Sequence, residues 1–534
     1  MKAKNNNLNG VLIATIISLI VLLLFWWAIN NKEVALFLIE HPIVILPYIV
    51  DKIGYPRLIL GGIFISLISS LLFIRPDNKI NERNRNVVRG AMVIPKRKLK
   101  AILNKQSKAT ERIERKKTQL PQLEIGGIPI PNDYERLGFF TFGSPGTGKT
   151  QTISQMIATL RNRRDFRGII FDRSGEMLEK FYDPTRDIIF NPFDVRSVGW
   201  SHVNESARLE TMAKGLIPLE SEREPFFSNA ARVIIAELFH QTKSNQELWS
   251  LLISDTKAIH SFVAETLAAR YTGEEKSAAS VLSTVSNYCQ FYKYLTETEK
   301  QSQNQKQNIS FYDWGRRDCS NWIFITIEEN DAELLKPLHT LAFELMLRGL
   351  LSNKHRQMKT AIIIDELGAL NKLPGLSDLM SEGRKFGGCP ILGTQTQAQL
   401  TKIYGSEDTA TILQGTQTKL ILKSVDHETA NLMADIIGKQ EIKSITENYS
   451  RSRRGGRNGN GRTDGFNEQF REVYAVMPDE IKSLPKLSGY LKIDKYCAPV
   501  QLKGKNFPPC ARSFVPLQDH KPQSIQEQWG DWSE

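Results

Sequence analysis

The stretch 139-FFTFGSPGTGKTQTISQMIATL-160 indicates the fold class of this 534-residue chain. Its first four residues, 139–142, predict a buried β-strand. A helix is predicted next, because apolar residues recur at every third or fourth position: Ile153, Met156, Ile157 and Leu160. Between strand and helix, GSPGTGKT fits the pattern G-x-x-x-x-G-K-[ST], whose glycines let backbone N–H groups curl around a phosphate. The stretch therefore predicts a phosphate-binding loop in an α/β fold.

This loop predicts a site for ATP with Mg²⁺. The helix that follows points its positive end at the bound phosphates, and Lys149 reaches their β and γ groups. The hydroxyl of Thr150 is the predicted Mg²⁺ ligand on the loop. The residues predicted to hold the nucleotide are Gly143, Ser144, Pro145, Gly146, Thr147, Gly148, Lys149 and Thr150.

A second motif, 361-AIIIDELGAL-370, predicts a central strand that ends in two carboxylates. Ligands bind at the carboxyl ends of parallel strands in open α/β sheets. We therefore expect Asp365 to hold the Mg²⁺ shell and Glu366 to act as the general base for the attacking water. The alternative is a strand that ends in a solvated acidic turn. The two motifs together favour ATP hydrolysis.

Further strand-like runs at 168–172, 322–327, 390–395 and 418–423, with helical stretches between several of them, predict a doubly wound parallel sheet. Lys149 and Asp365 are 216 positions apart, more chain than a minimal nucleotide-binding core needs. Apolar residues recur at every third or fourth position over 225–239 and over 277–295, which predicts a helix in each and an all-α domain over about 197–309. The alternative is that these helices are ordinary crossovers flanking the sheet.

Two uncharged apolar segments near the N-terminus, 11–29 and 58–74, predict transmembrane helices. At 1.5 Å per residue the first is roughly 28 Å long, about the thickness of a bilayer core. Between positions 75 and 117 there are 15 basic and four acidic residues. The positive-inside rule then places both termini in the cytoplasm and the short loop between the spans outside. The basic stretch is expected to meet anionic lipid, and contact with DNA is the alternative.

Charge and cysteine usage narrow the class of partner. The chain has 70 basic and 58 acidic residues, a formal charge of +12, which favours polyanions or an acidic membrane surface. Its five cysteines are scattered with no C-x-x-C pair, which argues against a disulfide framework or a zinc site.

An ordered set of motifs along nearly the whole chain resembles the type IV secretion coupling proteins of the TraD/TraG/TrwB family. The matching pieces are GSPGTGKT, 172-DRSGEML-178, 190-FNPFD-194, 225-PFF-227 with Ala230 and Arg232, 280-SVLSTVS-286, 362-IIIDELGAL-370, 382-EGRKFGGCPILGTQTQAQL-400 with Tyr404 and Gly405, and 476-VMPDEIKSLP-485. The Walker motifs are common to many ATPases, but the set that includes EGRK and GTQTQAQL is much more specific.

The resemblance implies a bacterial inner-membrane, multi-pass, DNA-translocating ATPase that assembles as a homo-hexamer. It would recruit relaxase-bound single-stranded DNA or protein to the membrane proteins of a secretion channel during conjugation. It also implies a transmembrane anchor at 1–75, a RecA-like P-loop NTPase core at 76–196 plus 310–515, the all-α domain at 197–309 and a tail at 516–534. By motif position, Gln395 resembles a γ-phosphate sensor, and Arg384 resembles an arginine finger that reaches a neighbour's ATP.

Each of two segments outside these motifs has two possible interpretations. Residues 451–465 contain five arginines and five glycines, which predicts a mobile loop. The loop either contacts nucleic-acid phosphates or is a solvated hairpin tip. The acidic, Trp-containing tail either docks an accessory protein or is disordered.

Three rival functions are also compatible with the sequence. One is a membrane receptor that recruits effector proteins, using ATP for assembly or gating. A chromosome-partition translocase of the FtsK kind is the second, although such proteins usually end in a winged-helix domain that does not fit in the last residues here. A small-molecule P-loop kinase is the third, and the apolar N-terminal segments argue against it.

Overall fold

The computed structural model describes residues 87–114, 120–219, 225–301, 308–354, 357–452 and 461–517. The two predicted spans, at 11–29 and 58–74, lie outside these ranges, as does the tail from 518 onward. Within the described ranges, no helix is both long enough and apolar enough to cross a membrane.

In chain order, the strands are β1 (Val87–Gly90), β2 (Glu124–Ile125), β3 (Ile128–Pro129), β4 (Phe139–Phe142), β5 (Phe166–Asp172), β6 (Ile188–Phe190), β7 (Ile323–Thr326), β8 (Lys359–Ile364), β9 (Gly388–Thr394), β10 (Thr418–Leu422), β11 (Lys439–Ser452), β12 (Gly461–Tyr474), β13 (Ser488–Ile493) and β14 (Tyr496–Gln501). The helices are α1 (Lys96–Glu114), α2 (Asn132–Glu135), α3 (Lys149–Arg161), α4 (Glu176–Phe181), α5 (Leu209–Leu216), α6 (Phe226–Gln241), α7 (Asn245–Leu252), α8 (Thr256–Phe262), α9 (Ala269–Thr272), α10 (Glu275–Cys289), α11 (Tyr292–Gln301), α12 (Phe311–Arg316), α13 (Ala332–Ser352), α14 (Pro374–Glu382), α15 (Gln397–Gly415), α16 (His427–Ile437) and α17 (Pro478–Lys482).

The main sheet has nine strands in the order β14-β13-β10-β4-β9-β8-β5-β7-β6. All neighbours from β10 to β6 pair in parallel, which confirms the predicted α/β class. The prediction of a purely parallel sheet is wrong at one edge, because β13 runs antiparallel to both β10 and β14. Only two residues connect β13 to β14, and so short a connection permits an antiparallel pair but not a parallel one.

The central strands are buried on both faces. Every residue of β4, β5 and β9 is buried, the pattern of a parallel sheet covered by helices on both sides. This is why the predicted strands appear in the sequence as near-continuous apolar runs rather than as alternating ones. The order also places β4, with the phosphate loop at its end, directly beside β9 and one strand away from β8.

The described part of the chain between β6 and β7 is helical, as predicted. The chain leaves the sheet after β6, forms α5 to α12, and returns at β7, the neighbouring strand. The helix predicted over 225–239 is α6, and the single helix predicted over 277–295 is two helices, α10 and α11, separated by Gln290 and the buried Phe291. That residues 197–309 form a separate all-α domain stays a prediction.

A second sheet, β1-β11-β12, is built around a long antiparallel hairpin. The β11–β12 register runs from the Lys439–Tyr474 pair to the Ser452–Gly461 pair. The prediction of a loop over all of 451–465 is therefore wrong, since 451–452 and 461–465 belong to the strands. Antiparallel pairing satisfies the backbone whatever the side chains are, so an Arg/Gly composition does not by itself exclude a strand. Residues 453–460 lie outside the described ranges.

Candidate nucleotide-binding site

The phosphate loop lies between β4 and α3 and depends on glycine at several positions. Gly146 and Gly148 have φ values of 72° and 117°, a region that side chains with a Cβ rarely adopt. A Cβ on Gly143 would come 2.6 Å from the hydroxyl oxygen of Thr147. That hydroxyl donates a 2.7 Å hydrogen bond to the carbonyl of Ser144, which closes the loop on itself. The sequence pattern is therefore a requirement of this backbone geometry.

Lys149 is the buried cation of the site. Its ammonium donates a 2.6 Å hydrogen bond to the carbonyl of Gly143 at the start of the loop. Burial lowers the pKa of Lys149, and the nearby carboxylates of Glu366 and Asp365 oppose that shift. The ammonium is thus held beside the loop, close to two acids, in the position from which a phosphate oxygen could replace the carbonyl.

Asp365 and Thr150 link the two motifs directly. The Thr150 hydroxyl donates a 2.6 Å hydrogen bond to Oδ2 of Asp365 across 215 positions of sequence. The other oxygen, Oδ1, is buried without a hydrogen-bond partner in the described structure. Burial raises the pKa of Asp365, while the Thr150 hydrogen bond and the Lys149 charge oppose that shift.

Glu366 lies next to this pair with no hydrogen bond of ordinary geometry to either carboxylate oxygen within the described ranges. Burial raises the pKa of Glu366. Lys149 and then Gln395, whose side chain approaches the carboxylate, favour its charged form. A buried carboxylate with a raised pKa has the properties of a general base.

The oxygen donors present fit a magnesium ion bound together with a nucleotide. Mg²⁺ is usually held by one or two protein oxygens, with waters and substrate phosphates completing its shell. The Thr150 hydroxyl and the unpaired oxygen of Asp365 supply such a set. Within the described ranges, no cluster of three or more His, Cys, Asp or Glu side chains could hold a metal by itself.

These groups open into one cleft of about 740 Å³, a size typical of small-molecule sites. Most of the predicted site residues line it: Ser144, Pro145, Gly146, Gly148, Lys149, Thr150, Asp365, Glu366 and Gln395. Gly143 and Thr147 shape the loop without lining the cleft. The structure thus brings together residues from the ends of β4, β8 and β9.

Arg384 is the one predicted catalytic residue that lies elsewhere. It is exposed in a short 3₁₀ turn, Gly383–Phe386, after α14, and it does not line the cleft. Within the described ranges its guanidinium makes no hydrogen bond or ion pair. That Arg384 reaches the ATP of a neighbouring copy stays a prediction.

Further residues line the cleft besides the predicted ones, among them Asp172, Arg173, Glu329 and Leu487. Asp172, at the end of β5, is buried and accepts a 2.8 Å hydrogen bond from the backbone N–H of Leu178, and burial raises its pKa to about 6. Arg173 and Glu329 form an ion pair at the mouth of the cleft. The first three of these cleft residues follow the ends of β5 and β7, a signal available from the predicted strands, whereas nothing local marks Leu487.

Comparison with known proteins identifies the family. The family model of the type IV secretion-system coupling protein DNA-binding domain matches residues 122–503. The coupling protein TraD of Escherichia coli (strain K12) is 30% identical over 432 residues, covering 78% of this chain and 59% of TraD. The chain thus spans about three fifths of the length of this curated relative.

Solved structures of the coupling protein TrwB share the fold. Unbound TrwBdeltaN70 is 25% identical with a TM-score of 0.66, covering 80% of this chain and 96% of that one. TrwB in complex with ADP and Mg²⁺ is also 25% identical with a TM-score of 0.66, covering 81% and 98%. The family predicted from the sequence motifs is confirmed: the chain belongs to the type IV secretion-system coupling proteins.

Proposed function

We propose that this chain is an ATP hydrolase that couples nucleotide turnover to the transfer of DNA through a type IV secretion channel. One observation carries the hydrolase: the Thr150–Asp365 hydrogen bond brings the phosphate loop and the carboxylate strand into one cleft, with Lys149 and Glu366 beside it. The relative TrwB, solved with ADP and Mg²⁺, supports the same ligands here.

The proposed chemistry assigns one task to each side chain. Lys149 leaves the Gly143 carbonyl and donates to the β- and γ-phosphate oxygens. Thr150 and Asp365 would hold Mg²⁺, which would neutralise part of the phosphate charge. Glu366 takes the proton from the attacking water, and its buried, proton-favouring site suits it to that step. The Gln395 amide orients the same water from the neighbouring strand end.

The family membership supports the proposed partners. Single-stranded DNA with its relaxase is the proposed cargo, and channel proteins of the membrane are the proposed acceptor. We infer a homo-hexamer at the inner membrane, anchored through 1–75 and touching anionic lipid, with a RecA-like core at 76–196 plus 310–515 and an all-α domain at 197–309. In this ring Arg384, exposed and unpaired within the described ranges, is the finger for the neighbouring ATP.

The test is the ATPase rate of the full chain in detergent, with and without single-stranded DNA, at two salt concentrations. We expect stimulation that fades as salt rises, because contacts to phosphates release counterions. A rate that DNA does not change in a verified oligomer would contradict the DNA motor and favour the receptor for effector proteins. Absence of any ATPase activity, with the Lys149→Thr variant as baseline, would contradict the hydrolase itself.

A further inference from the structure

Leu487 has a backbone conformation that is unusual for its type. Its φ is 59°, and the only other non-glycine residue with positive φ in the described part of the chain is Asp494. The N–H of Ser488 donates to the carbonyl of Pro485 at 3.2 Å, so Leu487 takes the third position of a four-residue turn. Glycine or asparagine is usual at such a position, because a Cβ is strained there.

The turn is tied to the phosphate loop. The N–H of Leu487 donates to the carbonyl of Thr147 at 3.2 Å, and the N–H of Leu502 donates to the carbonyl of Leu487 at 2.7 Å. The side chain lies over Gly148, where a Cβ would come 2.9 Å from Cδ2 of Leu487. The surrounding structure therefore fixes a strained leucine directly against the loop, and such strain is typical of functional sites.

The sheet order places this leucine on a particular side of the loop. β13 begins at Ser488, immediately after Leu487, and it lies beyond β10 on one side of β4. The strands that end in Asp365 and Gln395, β8 and β9, lie on the other side. Leu487 is half-buried and lines the same 740 Å³ cleft as the loop.

A nucleotide bound at the loop is long enough to extend from the side of β8 and β9 to the side of β10 and β13. Its γ-phosphate belongs with Lys149 and the carboxylates and its α- and β-phosphates with the backbone N–H groups of the loop, so the ribose and base extend away from β8 and β9. On that side Gln151 also lines the cleft, and its side-chain oxygen already accepts a 3.3 Å hydrogen bond from the N–H of Lys505. The apolar surface of Leu487 is what the cleft offers there to a flat, poorly hydrated ring.

We propose that Leu487 is the wall against which the purine base of the bound nucleotide packs, an inference that rests on the nucleotide site proposed above. The contact is apolar and has no donor or acceptor, so it holds adenine and guanine about equally. The turn could be made with less strain by glycine, so the side chain itself is the feature that needs a role. Leu487 thus contributes to affinity for the base and not to the handling of phosphates.

The test compares ligands with and without a base on the full chain, using Leu487→Gly. Glycine is compatible with the positive φ, and unchanged circular dichroism and melting temperature verify the fold. ADP, GDP and pyrophosphate, each with Mg²⁺, are titrated by calorimetry, which avoids hydrolysis. We expect the affinity for ADP and GDP to fall by about tenfold each, the loss of a modest apolar contact, and the affinity for pyrophosphate to stay unchanged.

Two matched variants complete the design. Leu502→Ala removes a second leucine that packs on Gly148, at 3.0 Å from a Cβ built there, but does not line the cleft. It should leave ADP affinity near that of the wild type, and Leu487→Met should restore most of the affinity that glycine loses.

Three results would overturn the proposal. They are unchanged ADP affinity in Leu487→Gly, an equal loss for pyrophosphate, and the same ADP-selective loss in Leu502→Ala. A wild-type chain that binds neither ADP nor pyrophosphate would instead refute the nucleotide site, and the base wall with it.

Discussion

The two sides of the phosphate loop are built differently. On one side the sheet continues through the parallel strands β9 and β8, which end in Gln395, Asp365 and Glu366. On the other side the next strands in the sheet are β10 and the antiparallel pair β13 and β14. Leu487 immediately precedes β13 in the chain. The first side presents polar and charged groups and the second an apolar one. Chemistry at the phosphates and contact with the rest of the ligand are thus separable, and each can be removed alone.

The largest effect is expected at the point that both sides share. Lys149→Thr removes the buried cation that faces the phosphates and the two carboxylates. Turnover should fall by about 10³-fold or more, since a charged donor to the transition state is lost. The control is the melting temperature, which should not fall, because an ammonium whose pKa is lowered by burial is itself costly to bury. Normal hydrolysis by this variant would contradict the site.

The next prediction tests whether hydrolysis at one copy's site needs Arg384 of a neighbouring copy. Arg384→Ala should leave nucleotide binding unchanged and lower turnover by about 10³-fold, the effect of losing an arginine finger. Mixing it with Lys149→Thr should restore part of the activity, because a mixed ring joins an intact loop to an intact arginine. Lys385→Ala, at the exposed neighbouring position, is the control. No recovery in verified mixed rings would argue against a finger acting between copies.

A third prediction separates the two sides by the kinetic constant affected. Glu366→Gln keeps the size of the side chain and removes the base, so kcat should fall by about 10²-fold or more while ADP affinity changes little. Leu487→Gly should weaken ADP affinity and leave kcat nearly unchanged. Glu382→Gln, an exposed acid outside the cleft, serves as the reference. If Glu366→Gln weakened binding and left kcat intact, the division between the two sides would fail.

The smallest effect is expected at Asp172. This residue ends the parallel strand β5, and its carboxylate accepts a hydrogen bond from the backbone of Leu178. Its pKa is raised from 3.8 to about 6 by burial, so the folded chain binds more protons than the unfolded chain between these values. The contribution of Asp172 to stability is therefore greatest below pH 4 and is lost as pH rises through about 6, by about 2–3 kcal/mol. In Asp172→Asn, the difference in melting temperature between pH 4.5 and pH 7.5 should shift by that contribution. An unchanged pH dependence would contradict the raised pKa of Asp172.

Much of the parallel half could be predicted from the sequence. Residues 139–142 form β4, 361–364 lie in β8, and the helix after the loop is α3, because buried parallel strands and amphipathic helices have local apolar patterns. The candidate site residues could be named for the same reason. Glycines, a lysine and carboxylates at strand ends are required by local chemistry, and the sheet then aligns those ends at one edge.

Long-range pairing and packing specify features that no local pattern does. The antiparallel edge depends on a two-residue connection with Asp494 at positive φ, and the hairpin β11–β12 depends on backbone pairing within an Arg/Gly-rich composition. Leu487 carries no motif, and its place against Gly148 results from pairing across more than 300 positions of chain. The phosphate loop, the carboxylates and the family follow from the sequence alone, since these are local in pattern. Only the folded chain determined what lies on the far side of the loop, because that wall is formed by long-range packing.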